Sequence, residues 1–234
     1  MELLVALHKQ GYKKNELASD VALQNIPTQY ASEDFVELFL KHITIIGDSR
    51  EQKDWIEKAC AYYGIAFDKA VKDKKSGTEN LKEGDYSFRL QFGDKVLSYV
   101  GVVAYERKGS ISEICNNLKS GDRERIDREF NRFINKGYKK VVMVLEYGNN
   151  LLDLLNAEYE YIDHYGMYNT KNVGKLVYAS LMSWKQQNGK NFEIYQNENH
   201  EQLFWWILTD MFYWWRNEIR NQVEEVNNEK KENH

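Results

Sequence analysis

Three short stretches hold the residue types that hydrolytic chemistry on phosphates uses: Asp48 in GDSRE, Asp85 in EGDY, and the triplet Glu106-Arg107-Lys108 in AYERK. Magnesium wants hard oxygen ligands and keeps several waters, so two carboxylates from neighbouring strands with one backbone carbonyl make a sufficient site. Asp85 and Glu106 fit that role. On a strand, Glu106 and Lys108 point to the same face because side chains alternate with period two, which sets an ammonium beside the metal carboxylate. Lys108 is therefore the candidate to orient or help deprotonate an attacking water. A metal lowers the pKa of its bound water and neutralises charge building on a phosphate, so the grouping suits phosphodiester hydrolysis.

The hydrophobic pattern shows which elements must position these groups. ITIIGDSRE, from Ile43, reads as a buried strand ending in polar groups. Trp55, Ile56, Ala59, Cys60 and Tyr63 recur at helical spacing before Gly64, and IAFDKAV reads as a second strand. Lys72 to Lys82 form a polar, turn-rich stretch. Tyr86, Phe88, Leu90 and Phe92 alternate before Gly93-Asp94, which predicts a hairpin of two antiparallel strands over YSFRLQFGDKVLSYVGVVAYERK. Helices are expected from Ser112 and over Asp122 to Asn135, then a strand at 141–147 and helices at 151–163, 171–188 and 200–222. This order implies an α/β fold, a mixed central sheet with helices on both sides.

Ahead of Ile43, residues 1–25 have weak helical patterning, Pro27 marks a boundary, and Ser32-Glu33-Asp34 caps a short helix through Lys41 with Phe35, Leu38 and Phe39 on one face. The expected division is an N-terminal helical extension (1–42), a catalytic domain (43–198), a C-terminal aromatic helix (199–226) and a disordered tail (227–234).

Composition narrows the functions. Across 234 residues, 32 Lys and Arg against 36 Asp and Glu give a formal charge of −4, so any nucleic-acid contact needs a local basic patch. Two cysteines, Cys60 and Cys115, cannot build a disulfide scaffold or a four-ligand zinc site, and the histidines lack metal-ligand spacing. The most apolar stretch, Leu203 to Trp215, is interrupted by Asp210 and falls short of the ~20 residues that a membrane span needs. A cytoplasmic setting is the expectation, with no membrane.

In order and type, the motifs resemble the nuclease domain of the XPF-type structure-specific endonucleases, a branch of the PD-(D/E)XK superfamily. That family's V-D-x-R-E resembles Gly47-Asp48-Ser49-Arg50-Glu51, its G-D motif resembles Gly84-Asp85-Tyr86, and its E-R-K resembles Glu106-Arg107-Lys108. GSISEICNNL and GDRERIDREFNRF are similar to single-domain bacterial and bacteriophage members, and the similarity runs from Ile43 to Tyr195. The resemblance implies a restriction-endonuclease-like core with a C-terminal helical part, in a bacterial or phage-infected cell. It implies that Asp85 and Glu106 bind Mg²⁺, with Mn²⁺ as a substitute, and that Lys108 is the catalytic lysine. Asp48 and Arg50 would border the cleft, Arg107 would add a phosphate contact or a structural pairing, and Glu113 matches an acidic position on the following helix. The implied substrate is branched or structured DNA: flap, fork or junction.

The chain departs from that family at Gly47, where an apolar residue is usual, and in a longer hairpin between Asp85 and Glu106. No tandem helix-hairpin-helix module follows, so DNA grip is expected from the nuclease domain or a partner. Arg125, Arg128, Arg132 and Lys136 recur at helical spacing and could track a phosphate backbone, or form a solvated face paired to Glu124, Asp127 and Glu129. The Leu203–Trp215 aromatics surround their helix too widely for one stripe, which predicts packing on the core or on a homodimer or protein partner. The alternatives are a catalytically inactive nuclease-like binding protein and a nuclease for RNA or single strands.

Overall fold

The structure is a computed structural model that describes residues 33–49, 51, 55–70, 81, 83–110, 113, 131–162, 165, 167–172 and 174–232. A helix, α1 (Glu33–His42), buries Leu38 and Phe39 and leads directly into β1 (Ile43–Asp48). Helix α2 (Trp55–Tyr63) returns the chain to β2 (Ala66–Ala70), parallel to β1. Gly64, at φ +70°, ends α2 in a left-handed turn that glycine adopts without steric cost. Strands β3 (Tyr86–Phe92) and β4 (Lys95–Ser98) form the hairpin expected at Gly93-Asp94.

The second arm of that hairpin is not one strand. Val102 and Val103 donate to the Tyr99 carbonyl across a turn containing Gly101 (φ +83°), and β5 (Val103–Lys108) then pairs with β3 and β6 (Lys140–Leu145). Sheet order is β2-β1-β3-β5-β6-β9, with β4 on β3 and β9 spanning Phe192–Gln196. Strands β1, β2, β5, β6 and β9 run one way and β3 the other, so the carboxyl ends of five strands share one edge.

Alternation along the strands makes two faces. On one, Ile43, Ile45, Phe88, Leu90, Tyr105 and Val142 pack beneath α1, α2 and α4 (His200–Glu232). On the other, Ala104, Val141, Met143 and Leu145 pack with Phe133 and with Val177, Leu181 and Trp184 of α3 (Gly174–Asn188). The mixed sheet with helices on both faces agrees with the expected fold class. The aromatic helix is a core element: Leu203, Phe204, Ile207, Leu208, Met211, Phe212 and Trp215 are buried. Asp210, the charge interrupting this apolar run, pairs with buried Lys140 and accepts the Tyr105 hydroxyl at 2.7 Å.

Several expected elements differ. Instead of a helix over 151–163, a 3₁₀ turn (Leu151–Asn156) precedes a separate hairpin of β7 (Glu158–Ile162) and β8 (Tyr168–Asn172). Asn150 and Asp153 cap each other reciprocally, Ala157 is extended, and EYEYI has the period-two pattern of a strand. Helix α3 starts at Gly174, not 171, because 168–172 belong to β8; the Ala157 carbonyl accepts the Gly174 amide at 3.1 Å. FEIYQ, unassigned from the sequence, is parallel strand β9, and α4 continues to Glu232 through residues expected to be disordered. Among the described residues no helix is long and apolar enough to cross a membrane. Pro27, the 1–25 patterning, the turn-rich stretch over 72–80 and the helical residues expected at 114–130 lie outside the described residues.

A candidate active site at the carboxyl edge of the sheet

Backbone hydrogen bonds join the three sequence motifs. Asp48 ends β1 and donates its amide to the Asp85 carbonyl at 2.7 Å, while the Asp85 amide donates to the Tyr105 carbonyl at 2.9 Å. Gly84 makes this approach feasible: it sits at φ +82°, and a Cβ there would lie 3.0 Å from the Ala104 Cβ. The pairings of β1 with β3, β3 with β5 and β5 with β6 put Ile46, Ser87, Ala104 and Met143 on one face, so Asp48, Glu106 and Lys108 share the α3 side of the sheet. All three are buried.

The Lys108 ammonium donates to Glu106 Oε1 at 2.6 Å, a same-face pair two residues apart. The Asp85 carboxylate accepts the Arg107 amide at 2.7 Å, which places it against the backbone between Glu106 and Lys108. Burial raises the Asp85 pKa to about 6 against opposing stabilisation from the Arg107 amide and the Lys108 charge, and nearby Glu51 pushes it the same way as burial. Asp85 is thus a carboxylate held in want of positive charge.

Arg107 points to the opposite, α4 face. Its guanidinium donates to Glu146 Oε1 at 2.9 Å and lies 3.3 Å from both Glu51 oxygens. Of the two roles expected for Arg107, the structure has the pairing. Glu146 follows β6, accepts the Trp55 indole N–H at 2.6 Å, and lies 3.3 Å from His200 Nε2, whose ring stacks on Trp55. Burial opposes ionisation of Glu146, but the charge and hydrogen bonds of Arg107 and the Trp55 donor hold its pKa below the usual range. Neither Glu146 nor Trp55 and His200 stood out in the sequence; the signal was an acid one residue past an apolar strand, beside the neighbouring strand's triplet.

Glu113 has a local role. Its carboxylate accepts the Gly109 amide at 2.8 Å and its own amide donates to Ser110 Oγ at 3.2 Å, so it ties down the backbone just after β5. Of the basic stripe, Arg132 and Lys136 are exposed and both face Glu83, two residues before Asp85. Arg50, Arg125 and Arg128 lie outside the described residues, as do Glu124, Asp127 and Glu129. Gly47 has a steric reason: the Phe67 ring of β2 lies where a Cβ would come within 2.6 Å.

Among the described residues no three His, Cys, Asp or Glu side chains cluster as a cage for a metal. Two carboxylates alone are a donor set of the kind that magnesium, which keeps several waters, accepts.

No protein-family model matches the chain, and no curated protein matches it in sequence. Among solved structures it is similar to XPF from Aeropyrum pernix, at 14% identity and a TM-score of 0.47, over 79% of this chain and 69% of that one.

Proposed function

We propose that the protein is a metal-dependent DNA endonuclease that hydrolyses phosphodiester bonds in branched or otherwise structured DNA. The observation that carries this reading is the convergence of three motifs far apart in sequence: the Asp48 amide donates to the Asp85 carbonyl, and the Asp85 carboxylate lies on the Arg107 amide, between Glu106 and its ion-paired partner Lys108. Asp85 and Glu106 would hold Mg²⁺ or Mn²⁺, and the bound ion would supply positive charge to the scissile phosphate and acidify the attacking water.

The chain's own groups do the rest. Lys108, within hydrogen-bond reach of Glu106, holds an ammonium where it can orient a water and offset phosphate charge. Arg107 is committed to Glu51 and Glu146, so it fixes the strand and does not touch substrate. Asp48, at the end of β1 on the same face, borders the cleft. The preference for flaps, forks or junctions rests on the family resemblance.

A second reading, a catalytically inactive protein that docks a partner, is favoured by one observation. Trp205 and Trp206 on α4 remain 39% and 40% exposed, flanked by grooves lined by Leu40 and Phe212 on one side and by Ile194 and Tyr195 on the other. The same helix would serve a homodimer of the enzyme.

The test is cleavage of labelled flap, fork, four-way junction, duplex and single-stranded DNA, with Mg²⁺ or EDTA, by wild type, Asp85→Ala and Lys108→Ala. Mg²⁺-dependent cutting that leaves a 5′-phosphate and is lost in both variants is the expected result. A folded wild type that binds these DNAs but cuts none favours the second reading.

A further inference from the structure

Arg107 sits between two acids, and one of them is tied to more than Arg107. Glu146 Oε1 takes both the guanidinium at 2.9 Å and the Trp55 indole at 2.6 Å, while the Glu146 amide donates to the Lys108 carbonyl at 3.0 Å. Its carboxylate is 5% exposed, so few solvent molecules can replace a lost partner. From Glu146 the connection runs through the Arg107 side chain to the Arg107 amide, and from there to Asp85 Oδ2 at 2.7 Å. Arg107 also lies between Glu106 and Lys108 in the chain, so a shift of its backbone moves every group of the proposed metal site at once.

We infer that Glu146, with Trp55 behind it, is a positioning residue that sets the Asp85 and Glu106 carboxylates at the spacing a divalent cation requires. This rests on the reading of that pair as the metal-holding pair. Without the Glu146 charge, the guanidinium is left to Glu51 alone, 3.3 Å away on the other side, and the strand segment that holds Asp85 relaxes toward it. Glu146 touches neither metal nor substrate in this assignment. Groups that orient metal ligands from behind typically change metal affinity by about 10–100-fold when removed.

The experiment measures Mn²⁺ binding by calorimetry, with thermal unfolding and single-turnover cutting, on the full chain. It compares wild type, Glu146→Gln, Trp55→Phe and a control, Asp210→Asn, which breaks another buried ion pair on the same sheet face far from the site. Glu146→Gln is expected to weaken Mn²⁺ binding by about tenfold or more and to slow cutting at saturating DNA, with the KM for DNA unchanged. Trp55→Phe is expected to act in the same direction by a few-fold. Asp210→Asn is expected to lower Tm at least as far while leaving the Mn²⁺ isotherm alone.

Wild-type Mn²⁺ affinity in a folded Glu146→Gln protein would overturn the inference and leave the metal site standing. If Glu146→Gln does not fold, Trp55→Phe decides on the same isotherm. A wild type that binds no Mn²⁺ would overturn the metal-site reading, and the inference with it.

Discussion

Two clusters of buried charge lie on the α4 side of the sheet, at opposite ends of the same strands. At the amino end, Lys140 is flanked by Asp210 and, at 3.2 Å, by Glu193; at the carboxyl end, Arg107 is flanked by Glu146 and Glu51. Each has one base between two acids. They differ in what they hold. Around Lys140 the acids are closed off by tyrosine hydroxyls, Tyr105 to Asp210 at 2.7 Å and Tyr195 to Glu193 at 3.0 Å, so the cluster pins α4 and β9 to the sheet and leads nowhere further. Arg107 passes its constraint through the backbone to Asp85, a carboxylate destabilised by its own burial. One cluster is a fastening; the other, on the proposed function, supports the metal-holding carboxylates.

The largest effect that separates them is on stability. Asp210→Ala leaves Lys140 with a single, partly exposed acid and should cost about 3–5 kcal/mol, the penalty of breaking a buried pair. Chemical denaturation would show this, with metal binding unchanged in the folded fraction; an equal loss of metal affinity would erase the distinction between the two ends. Next, Gly47→Ala drives a Cβ to 2.6 Å from the Phe67 ring beside Asp48, an overpacking worth about 1–3 kcal/mol. If the variant is as stable as wild type, Phe67 is not what fills that space.

Protons should compete with metal at the carboxyl end alone. Asp85 titrates at about 6, so Mg²⁺ affinity should fall roughly tenfold between pH 7 and pH 5, as measured by calorimetry. In EDTA the sign for stability is the opposite. A folded-state pKa raised above the ordinary 3.8 favours the folded protein below that value, and this contribution is lost as pH rises through about 6. Flat metal affinity across that range would mean that Asp85 is not a ligand. The smallest effect belongs to the exposed Lys136–Glu83 contact: Lys136→Ala should change stability by under about 0.5 kcal/mol. A larger change in the salt dependence of DNA binding would show that this cation faces phosphate as well as Glu83.

The amount of this that the sequence discloses follows the range of each interaction. Asp48, Asp85 and the Glu106 triplet are legible because each sits at a strand end with its alternation visible locally, and Gly93-Asp94 declares its turn the same way. Glu146, Trp55 and His200 are not, since their meaning depends on which strand lies beside β5, a pairing set by packing across the whole sheet. The hairpin at 158–172 hides behind LLDLL, a run that suits a helix until the chain turns extended at Ala157, whose amide donates back to the Leu154 carbonyl. FEIYQ is short and mixed in polarity, and becomes a strand because β6 offers it a parallel edge. Glu113 matches an expected acidic position, but its carboxylate serves the backbone of Gly109, a use that residue type cannot reveal.

The most direct test is Asp85→Asn, which keeps an oxygen to accept the Arg107 amide while removing the charge. Ionising Asp85 in its buried place costs the folded state on the order of 3 kcal/mol above pH 6, so the variant at pH 8 in EDTA should unfold no earlier than wild type. With Mg²⁺ it should cut no branched DNA and gain no thermal stability from the ion, where wild type does both. An Asp85→Asn protein that cuts at the wild-type rate, or gains the same stability from Mg²⁺, would contradict the account.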